Sequence, residues 1–253
     1  MVICASATFG QTSVNINPGS NGASGTAHFG PAMPVGPVVT GAPYSGAQVS
    51  ERVQTLVDGT HLTSKFAPTK VYRDSVGRTR TERHIFASAP DSAIVVEIID
   101  PVARVKYTYT LDAVDKVAHR QRLVSAKPAT GTPAARSGSM KAQPTESRPE
   151  MSNEELGTRT IEGILAEGTR RTVTYPVDSM GNDRPISAVT ETWTAPDLKV
   201  QIMIRQNDPR LGESTYKLVN ISRDEPPASF FQPPPEYTVV DEEGDFMITW
   251  GSR

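Results

Sequence analysis

Residues 186–205 read ISAVTETWTAPDLKVQIMIR, and this stretch carries a strand–turn–strand pattern. In its first half, alternation places Glu191 and Trp193 on one face of a strand. Residues 195–199 contain Pro and Asp, which favour a turn. Apolar residues return at every second position in 200–205. The stretch therefore predicts an antiparallel pair of β-strands.

The same pattern recurs on both sides of this pair, with Gly, Pro and Asp in the intervening turns. The other predicted strands cover residues 49–57, 60–66, 70–73, 78–86, 93–99, 104–111, 116–123, 158–163, 169–175 and 213–221. The run 93–99 is almost continuously apolar, so we expect it to be a central strand that is covered on both faces. Helical periodicity is weak, with short candidate pieces at 153–156 and 227–231. Short strands at this spacing predict an all-β, mainly antiparallel fold: one large curved sheet or half-barrel of about nine to eleven strands with few short helices.

Composition limits what the remaining residues can do. Only 37% of the 253 residues are hydrophobic, which predicts that part of the chain lies outside a core. The net charge of −2 argues against nucleic acid as a partner, because nucleic-acid binding favours a strong basic excess. The chain has no run of 18 apolar residues and a single cysteine, Cys4, which cannot form an intramolecular disulfide.

The first ten residues are small and apolar, and Ala5-Ser6-Ala7 has the A-x-A form of a signal cleavage site. We interpret residues 1–10 as the tail of a signal peptide, the alternative being an ordinary apolar N-terminus. The interpretation predicts an extracytoplasmic location, either periplasmic or secreted.

The predicted domain of residues 49–240 is bounded and interrupted by segments with little apolar content. Residues 11–48 contain 7 Gly and 5 Pro, which predicts a disordered tether. Residues 125–155 contain four Pro and no aromatic residue, which predicts a flexible insert. Residues 241–253 are read as a C-terminal tail, in which the acidic stretch 241–245 is either solvated or a weak calcium site.

Catalytic and metal-binding patterns are not found in the sequence. His61, His84 and His119 lie on different predicted strands and lack the spacing that places imidazoles on one metal. The sequence has no G-x-S-x-G elbow. We therefore predict no catalytic residue, no cofactor and no metal, and the chain is not expected to be an enzyme.

Basic residues form clusters on three predicted strands. The clusters are Arg78, Arg80 and Arg83, then Arg104 with Lys106, then Arg170 with Arg171. Alternation places such residues on one face of a sheet, where they could meet an anionic surface such as phospholipid headgroups or lipopolysaccharide. The alternative is a solvated outer face whose charges discourage pairing of strand edges.

Two parts of the sequence resemble known proteins. The first is residues 156–170, LGTRTIEGILAEGTR; the second contains TETW at 190–193, DPRLG at 208–212 and FQPPPEY at 231–237. They resemble a group of uncharacterised exported bacterial β-proteins and, in layout, the lipoprotein-carrier (LolA/LolB-like) superfamily. The resemblance implies an incomplete antiparallel barrel whose concave face is covered by helices.

Five aromatic residues are of the type that lines an apolar cleft: Phe66, Tyr107, Tyr109, Trp193 and Tyr216. In a half-barrel they could form the floor of such a cleft. The alternative is ordinary packing in a core.

Together these observations predict a non-enzymatic extracytoplasmic binding or envelope-associated protein that holds an apolar or amphipathic ligand in a half-barrel. The expected partners are a lipid or other apolar ligand and the envelope surface. The first alternative is a structural or adhesive surface protein that assembles through sheet edges. A hydrolase is the third alternative. Neither the ligand nor the oligomeric state follows from the sequence.

Overall fold

This computed structural model describes residues 13–16, 25–32, 36–111, 113, 115–124 and 148–250. The predicted signal-peptide tail and most of the predicted insert lie outside these ranges. Within them, the chain forms strands and one 3-10 helix, Ala228–Phe231. This helix confirms the short helical piece expected near 227–231.

The described strands are β1 (Ser13–Ile16), β2 (Gly25–Phe29), β3 (Tyr44–Thr55), β4 (His61–Lys65), β5 (Thr69–Arg73), β6 (Thr79–His84), β7 (Ile94–Asp100), β8 (Val105–Thr110), β9 (Val117–Arg122), β10 (Glu150–Ile161), β11 (Ile164–Tyr175), β12 (Ile186–Ala195), β13 (Val200–Asp208), β14 (Gly212–Ser222), β15 (Thr238–Glu242) and β16 (Phe246–Trp250). Strands β3 to β15 form one sheet of 13, and β1, β2 and β16 form a second sheet.

The predicted fold class, all-β and mainly antiparallel with one large sheet, is confirmed. The large sheet has 13 strands, more than the nine to eleven expected, because all twelve segments predicted as strands join it as β3 to β14 and β15 is added. Strand β15 pairs with β9 in parallel from Thr238↔Val117 to Glu242↔Gln121. A parallel partner so distant in the sequence leaves no hairpin signal.

The chain divides into two compact units. Unit 1 contains the described residues within 1–49, 66–126 and 220–253, and unit 2 contains the described residues within 50–65 and 127–219. Strands β3 and β14 contribute residues to both units.

In unit 1, the second sheet packs on one face of the large sheet. Phe29 and Phe246 stack with ring centroids 5.3 Å apart, and together with Trp250 they cover Val95 of β7. Strand β2 falls in the segment predicted to be a tether, and strand β16 falls in the segment predicted to be a tail. The prediction failed there because β2 and β16 are each only five residues long, and neither buries an apolar face without its distant partner.

The opposite face of unit 1 is covered by the 3-10 helix and the residues that follow it. Phe231 is 1% exposed and packs with Ile98, Tyr109 and Tyr237. The hydroxyl of Tyr237 donates a hydrogen bond of 2.8 Å to the carbonyl of Thr110. The apolar run of β7 was expected to be covered on both faces, and this arrangement confirms it.

Unit 2 is an antiparallel meander of β10 to β13 with β4 and the adjoining parts of β3 and β14. A two-residue turn joins β10 to β11, with Glu162 at φ 50° and Gly163 at φ 76°. Two successive residues with positive φ are typical of the type I′ turn, for which Gly is favoured in the second position.

Strand β10 begins at Glu150, so the last residues of the segment predicted as a flexible insert, and the helical piece expected at 153–156, are part of a strand. β11 is the one described neighbour of β10, and nearly every residue of β10 is exposed. A strand that buries almost no side chain needs no apolar alternation, so its sequence gives no strand signal.

Candidate functional site

The five aromatic residues proposed for an apolar cleft are divided between the two units. Phe66, Tyr107 and Tyr109 belong to unit 1, whereas Trp193 and Tyr216 belong to unit 2. Tyr109 is fully buried and Trp193 is 5% exposed, and the other three are half-buried. Tyr109 packs against Tyr237, and Trp193 packs over Gly168. Both contacts are of the kind that the alternative, packing in a core, predicts.

Tyr109 belongs to a buried polar network on β6 and β8. The guanidinium of Arg80 donates hydrogen bonds to the hydroxyl of Tyr109 at 2.8 Å and to the carbonyl of Phe230 at 3.0 Å. Arg80 also pairs with Glu82 at 2.8 Å. Burial raises the pKa of Tyr109, although Arg80 acts in the opposite direction. The network fixes the segment that covers unit 1.

Trp193 lies over a glycine in unit 2. A Cβ atom at Gly168 would come within 2.7 Å of the six-membered ring of Trp193, so a larger residue does not fit there. The guanidinium carbon of Arg159 lies 4.7 Å from the centre of a ring of the same indole. The buried indole nitrogen has no hydrogen-bond partner among the described residues.

Charged residues cross unit 2 in a row perpendicular to its strands. The register places Glu154, Arg170, Glu191 and Arg205 opposite one another on β10, β11, β12 and β13. Arg170 contacts Glu191 at 2.8 Å and Glu154 at 2.9 Å. Hydrogen bonds to Glu191 and Glu154 raise the pKa of Arg170. Opposite charges on neighbouring strands stabilise this register.

A cavity of about 330 Å³ opens on the same surface. Its lining residues are Glu51, Val53, Arg159, Glu191, Met203, Arg205, Glu213, Thr215 and Lys217. We call this surface the charged face. Its charged residues are Glu51, Glu154, Arg159, Arg170, Glu191, Arg205, Glu213 and Lys217. The cavity suits a small polar ligand better than an acyl chain, because six of its nine lining residues are charged.

At one end of unit 2, large apolar side chains are exposed. They belong to the hairpin of β3 and β4, the loop after β11 and the turn after β13. We call these residues the apolar end: Leu56, Val57, Leu62, Val177, Met180 and Leu211. Val57 is at the centre of its turn and is fully exposed.

Hydrogen bonds and contacts hold these three connections in place. Arg210 stacks on Tyr175 with its guanidinium carbon 4.6 Å from the ring centre, and its Nη1 lies 3.3 Å from the sulfur of Met180. The guanidinium of Arg52 donates a hydrogen bond of 2.8 Å to the carbonyl of Leu211. The exposed apolar residues are thus carried by connections with defined contacts.

Sequence reasoning missed the charged face and the apolar end. The signal available for the apolar end was the occurrence of Leu and Val inside turn segments, where polar residues are usual. The charged face has no such signal, because it is assembled from six strands, β3 and β10 to β14, through their pairing.

The basic clusters predicted on strands are mostly neutralised by carboxylates. Lys106 lies 2.5 Å and Arg83 3.6 Å from Glu97, and Arg78 lies 2.5 Å from Asp74. These basic side chains therefore form ion pairs with carboxylates of unit 1. The sequence had suggested an external anionic surface as their partner.

The acidic stretch at 241–245 is not simply a solvated tail. Asp241 accepts hydrogen bonds of 2.6 and 2.7 Å from Arg120, and Glu242 Oε1 lies 2.8 Å from His119 Nδ1. His119 also stacks on Phe246 at 4.4 Å. The solvated-tail interpretation failed because β15 pairs with β9, which brings carboxylates beside basic side chains.

His84 Nδ1 lies 3.0 Å from the carbonyl oxygen of Ser92, and His61 Nδ1 lies 3.0 Å from the hydroxyl of Thr55. In the described part of the chain, no group of three or more His, Cys, Asp or Glu residues is placed to hold a metal ion. Among the same described residues, no helix is long and apolar enough to cross a membrane.

No protein-family model matches this sequence, and no curated protein matches it significantly. Solved structures with similar folds include the MucA/MucB complex of Pseudomonas aeruginosa, at 14% identity and a TM-score of 0.33. That match covers 79% of this chain and 58% of the other, so this chain spans less than two thirds of that protein.

Two further similar structures are matched over most of their length. An uncharacterized conserved protein from Thermus thermophilus has 9% identity and a TM-score of 0.38, over 79% of this chain and 91% of the other. A LolA-superfamily protein from Nitrosomonas europaea has 9% identity and a TM-score of 0.29, over 77% and 92%. A LolA-superfamily protein is thus among the solved structures to which this chain is similar in fold, as the resemblance in the sequence implied. Similarity at these TM-scores carries no argument about ligand or role.

Proposed function

We propose that this chain is a non-enzymatic extracytoplasmic binding protein that associates peripherally with the cell envelope through the apolar end of unit 2. The observation that carries this proposal is the exposure of six large apolar side chains on the β3–β4 hairpin and on two further connections of unit 2. Exposed apolar patches on soluble domains commonly mark a contact with a partner or a membrane.

A lipid bilayer fits this surface because the residues project from turns. Leu56 and Val57 lie at the tip of the hairpin formed by β3 and β4, and Leu62 is on its returning strand. A hairpin tip can enter the interfacial region of a bilayer without loss of the strand pairing behind it. Full burial of each such side chain contributes about 1.5–3 kcal/mol.

Charges of both signs flank the apolar end. Asp58 is in the same turn as Val57, and Asp208 and Arg210 flank Leu211 and form an ion pair of 2.6 Å. We therefore expect binding driven by apolar burial, with weak dependence on salt and on lipid charge.

A non-enzymatic role is supported by the location of the buried groups whose pKa values are shifted. Tyr109, Arg73 and Glu97 are in unit 1, each beside a partner of opposite charge or hydrogen-bonding partner. The cavity of unit 2 is elsewhere, and active sites usually combine a cavity with shifted groups. The extracytoplasmic part of the proposal rests on the A-x-A pattern at residues 5–7.

Assembly through sheet edges, the alternative function, is less well supported. Strand β10 carries Glu150, Glu154, Glu155 and Arg159, and its register shifts between Glu155 and Gly157. Charges and irregular register are features by which edge strands avoid pairing with other molecules.

The proposal is tested by co-sedimentation with phosphatidylcholine vesicles. We expect the wild-type chain to bind, and we expect Val57→Asp and Leu211→Asp each to reduce the bound fraction at least about threefold, because a carboxylate opposes transfer into the apolar interface. The control is Val102→Asp, which changes a valine of unit 1 that is 72% exposed.

Urea unfolding curves establish that the three variants are as stable as the wild type. Absence of wild-type binding, or an equal loss in the Val102→Asp variant, would overturn the proposal.

A further inference from the structure

We propose that the cavity on the charged face binds an oxyanion, a phosphate or a carboxylate group, through Arg159 and Lys217. This inference goes beyond the proposed function and does not depend on contact with a membrane. It follows from how the charges around the cavity are distributed.

Each of the three carboxylates that line the cavity already has a cation beside it. Glu191 is 2.8 Å from Arg170, and Glu213 is 3.1 Å from Arg205. Glu51 is 3.7 Å from the ammonium group of Lys65 on the neighbouring strand. These carboxylates are therefore largely compensated within the protein.

Two cations that line the cavity have no carboxylate partner among the described residues. Arg159 contacts the Trp193 ring, and Lys217 forms no ion pair. Counting the partners just named together with Glu154, five cations face four carboxylates on this surface. The surplus positive charge is at Arg159 and Lys217, so an anion is the expected ligand.

The strand register shows that both side chains can approach the same point. Trp193, Met203 and Lys217 are directly opposite one another on β12, β13 and β14. Neighbouring strands are about 4.8 Å apart, so roughly 10 Å separates the Cα atoms of Trp193 and Lys217. Arg159 lies over Trp193, and the extended arginine and lysine side chains can therefore meet above Met203.

Arg159 is well suited to bind an oxyanion in this position. Its guanidinium lies over a buried indole, a contact that limits the movement of the side chain, and Gly168 leaves the space in which the indole lies. A stacked guanidinium keeps its N–H donors at the edge of the plane, where they can donate two parallel hydrogen bonds to a phosphate or carboxylate. Lys217 adds a second positive charge, and Thr215 adds a hydroxyl to the lining.

The remaining lining residues limit the size and character of the ligand. Val53 and Met203 provide an apolar part of the lining, and the volume of about 330 Å³ is at the lower end of the range for small-molecule sites, about 300–1,000 Å³. The expected ligand is a small group with one oxyanion and a short apolar portion.

The test is a titration of the full chain with sodium phosphate, and separately with sodium acetate, followed by two-dimensional proton–nitrogen NMR. Sodium chloride at matched ionic strength is the reference. We expect saturable shifts of the backbone amides of Met203, Thr215 and Lys217 and of the indole N–H of Trp193. Shifts that do not saturate, or that chloride reproduces, would overturn the inference.

Variants then identify the binding residues. We expect Arg159→Gln and Lys217→Gln each to weaken binding about tenfold, the loss that corresponds to one charge-assisted hydrogen bond. Arg159→Lys should recover part of the affinity, because it keeps the charge and loses the paired donors. The matched control is Arg171→Gln, which removes an arginine next to Arg170 on the opposite face of β11. Equal weakening in this control would contradict the assignment.

Competition with vesicles distinguishes the two sources of the oxyanion. If phosphatidylglycerol vesicles displace inorganic phosphate, the natural group is a lipid headgroup; if they do not, it is a free small anion. Both results retain the site. The Val57→Asp variant separates this inference from the proposed function, because it should lose vesicle binding and keep its response to inorganic phosphate.

Discussion

Unit 1 and unit 2 are built from the same kind of antiparallel strand but bury their side chains differently. On β7 in unit 1, the successive residues Val95 and Val96 are both fully buried, because other parts of the chain cover both faces. On β11 in unit 2, Ala166 is fully buried and Glu167, the next residue, is exposed. Strand β11 therefore has one buried face and one face exposed to solvent.

The difference indicates a division of roles. Unit 1 uses its apolar residues in two clusters, one on each face of its strands. Unit 2 carries the charged face and the apolar end, the two surfaces on which binding is proposed. The contrast predicts that changes in unit 1 mainly affect stability and that many changes in unit 2 mainly affect binding.

The largest expected effect is Phe231→Ala, which should lower the free energy of unfolding by about 3–5 kcal/mol, because it removes a large, fully buried side chain. Phe230→Ala is the neighbouring control: Phe230 is 38% exposed and contacts Tyr72 at the edge of the cluster. Urea denaturation measures both. Equal losses would show that the covering segment does not behave as part of the core of unit 1.

An intermediate effect is expected in unit 2 from Gly168→Ala, because the added methyl group meets the ring of Trp193. Overpacking of this kind costs about 1–3 kcal/mol. Gly244→Ala is the control, since no atom lies within 4 Å of a Cβ placed there. Trp193→Leu in the Gly168→Ala background should recover part of the loss. If thermal unfolding is the same for Gly168→Ala and Gly244→Ala, the contact with Trp193 is not tight.

A smaller effect concerns pH. Burial by itself raises the pKa of Glu97, but Lys106 and Arg83 outweigh it, so the pKa of this carboxyl lies below its ordinary value. Its contribution to stability is therefore present above the unfolded pKa, about 4.3, and is lost as pH falls through the lower folded value. Between about pH 5 and 3, the stability of Glu97→Gln should fall less steeply than that of the wild type. Parallel pH profiles would contradict the ion-pair assignment.

Local alternation was sufficient to predict most of the strands. The pair in 186–205 corresponds to β12 and β13, and the apolar run of β7 was expected to be central and covered. Both follow from the period of two in a strand and from the need to bury apolar side chains. Turn residues predicted several of the connections for the same local reason, but the return expected between the predicted strands 158–163 and 169–175, near residues 166–168, is at Glu162 and Gly163.

The segments that were misjudged lack a local signal. Strands β2 and β16 pair in the register Phe29↔Phe246, more than 200 residues apart in the sequence. Strand β10 is too exposed to need apolar residues. Composition measures what a segment can bury by itself, so it underestimates segments whose partner is elsewhere in the chain.

The candidate site was the part least accessible from sequence. Glu154, Arg170, Glu191 and Arg205 belong to four strands and meet through register alone. By itself, the sequence determined the all-β class, most strands and their turns, because alternation and turn chemistry act over a few residues. Only the tertiary structure decided which cations keep no carboxylate partner and where apolar side chains remain exposed, because both depend on the pairing of distant strands.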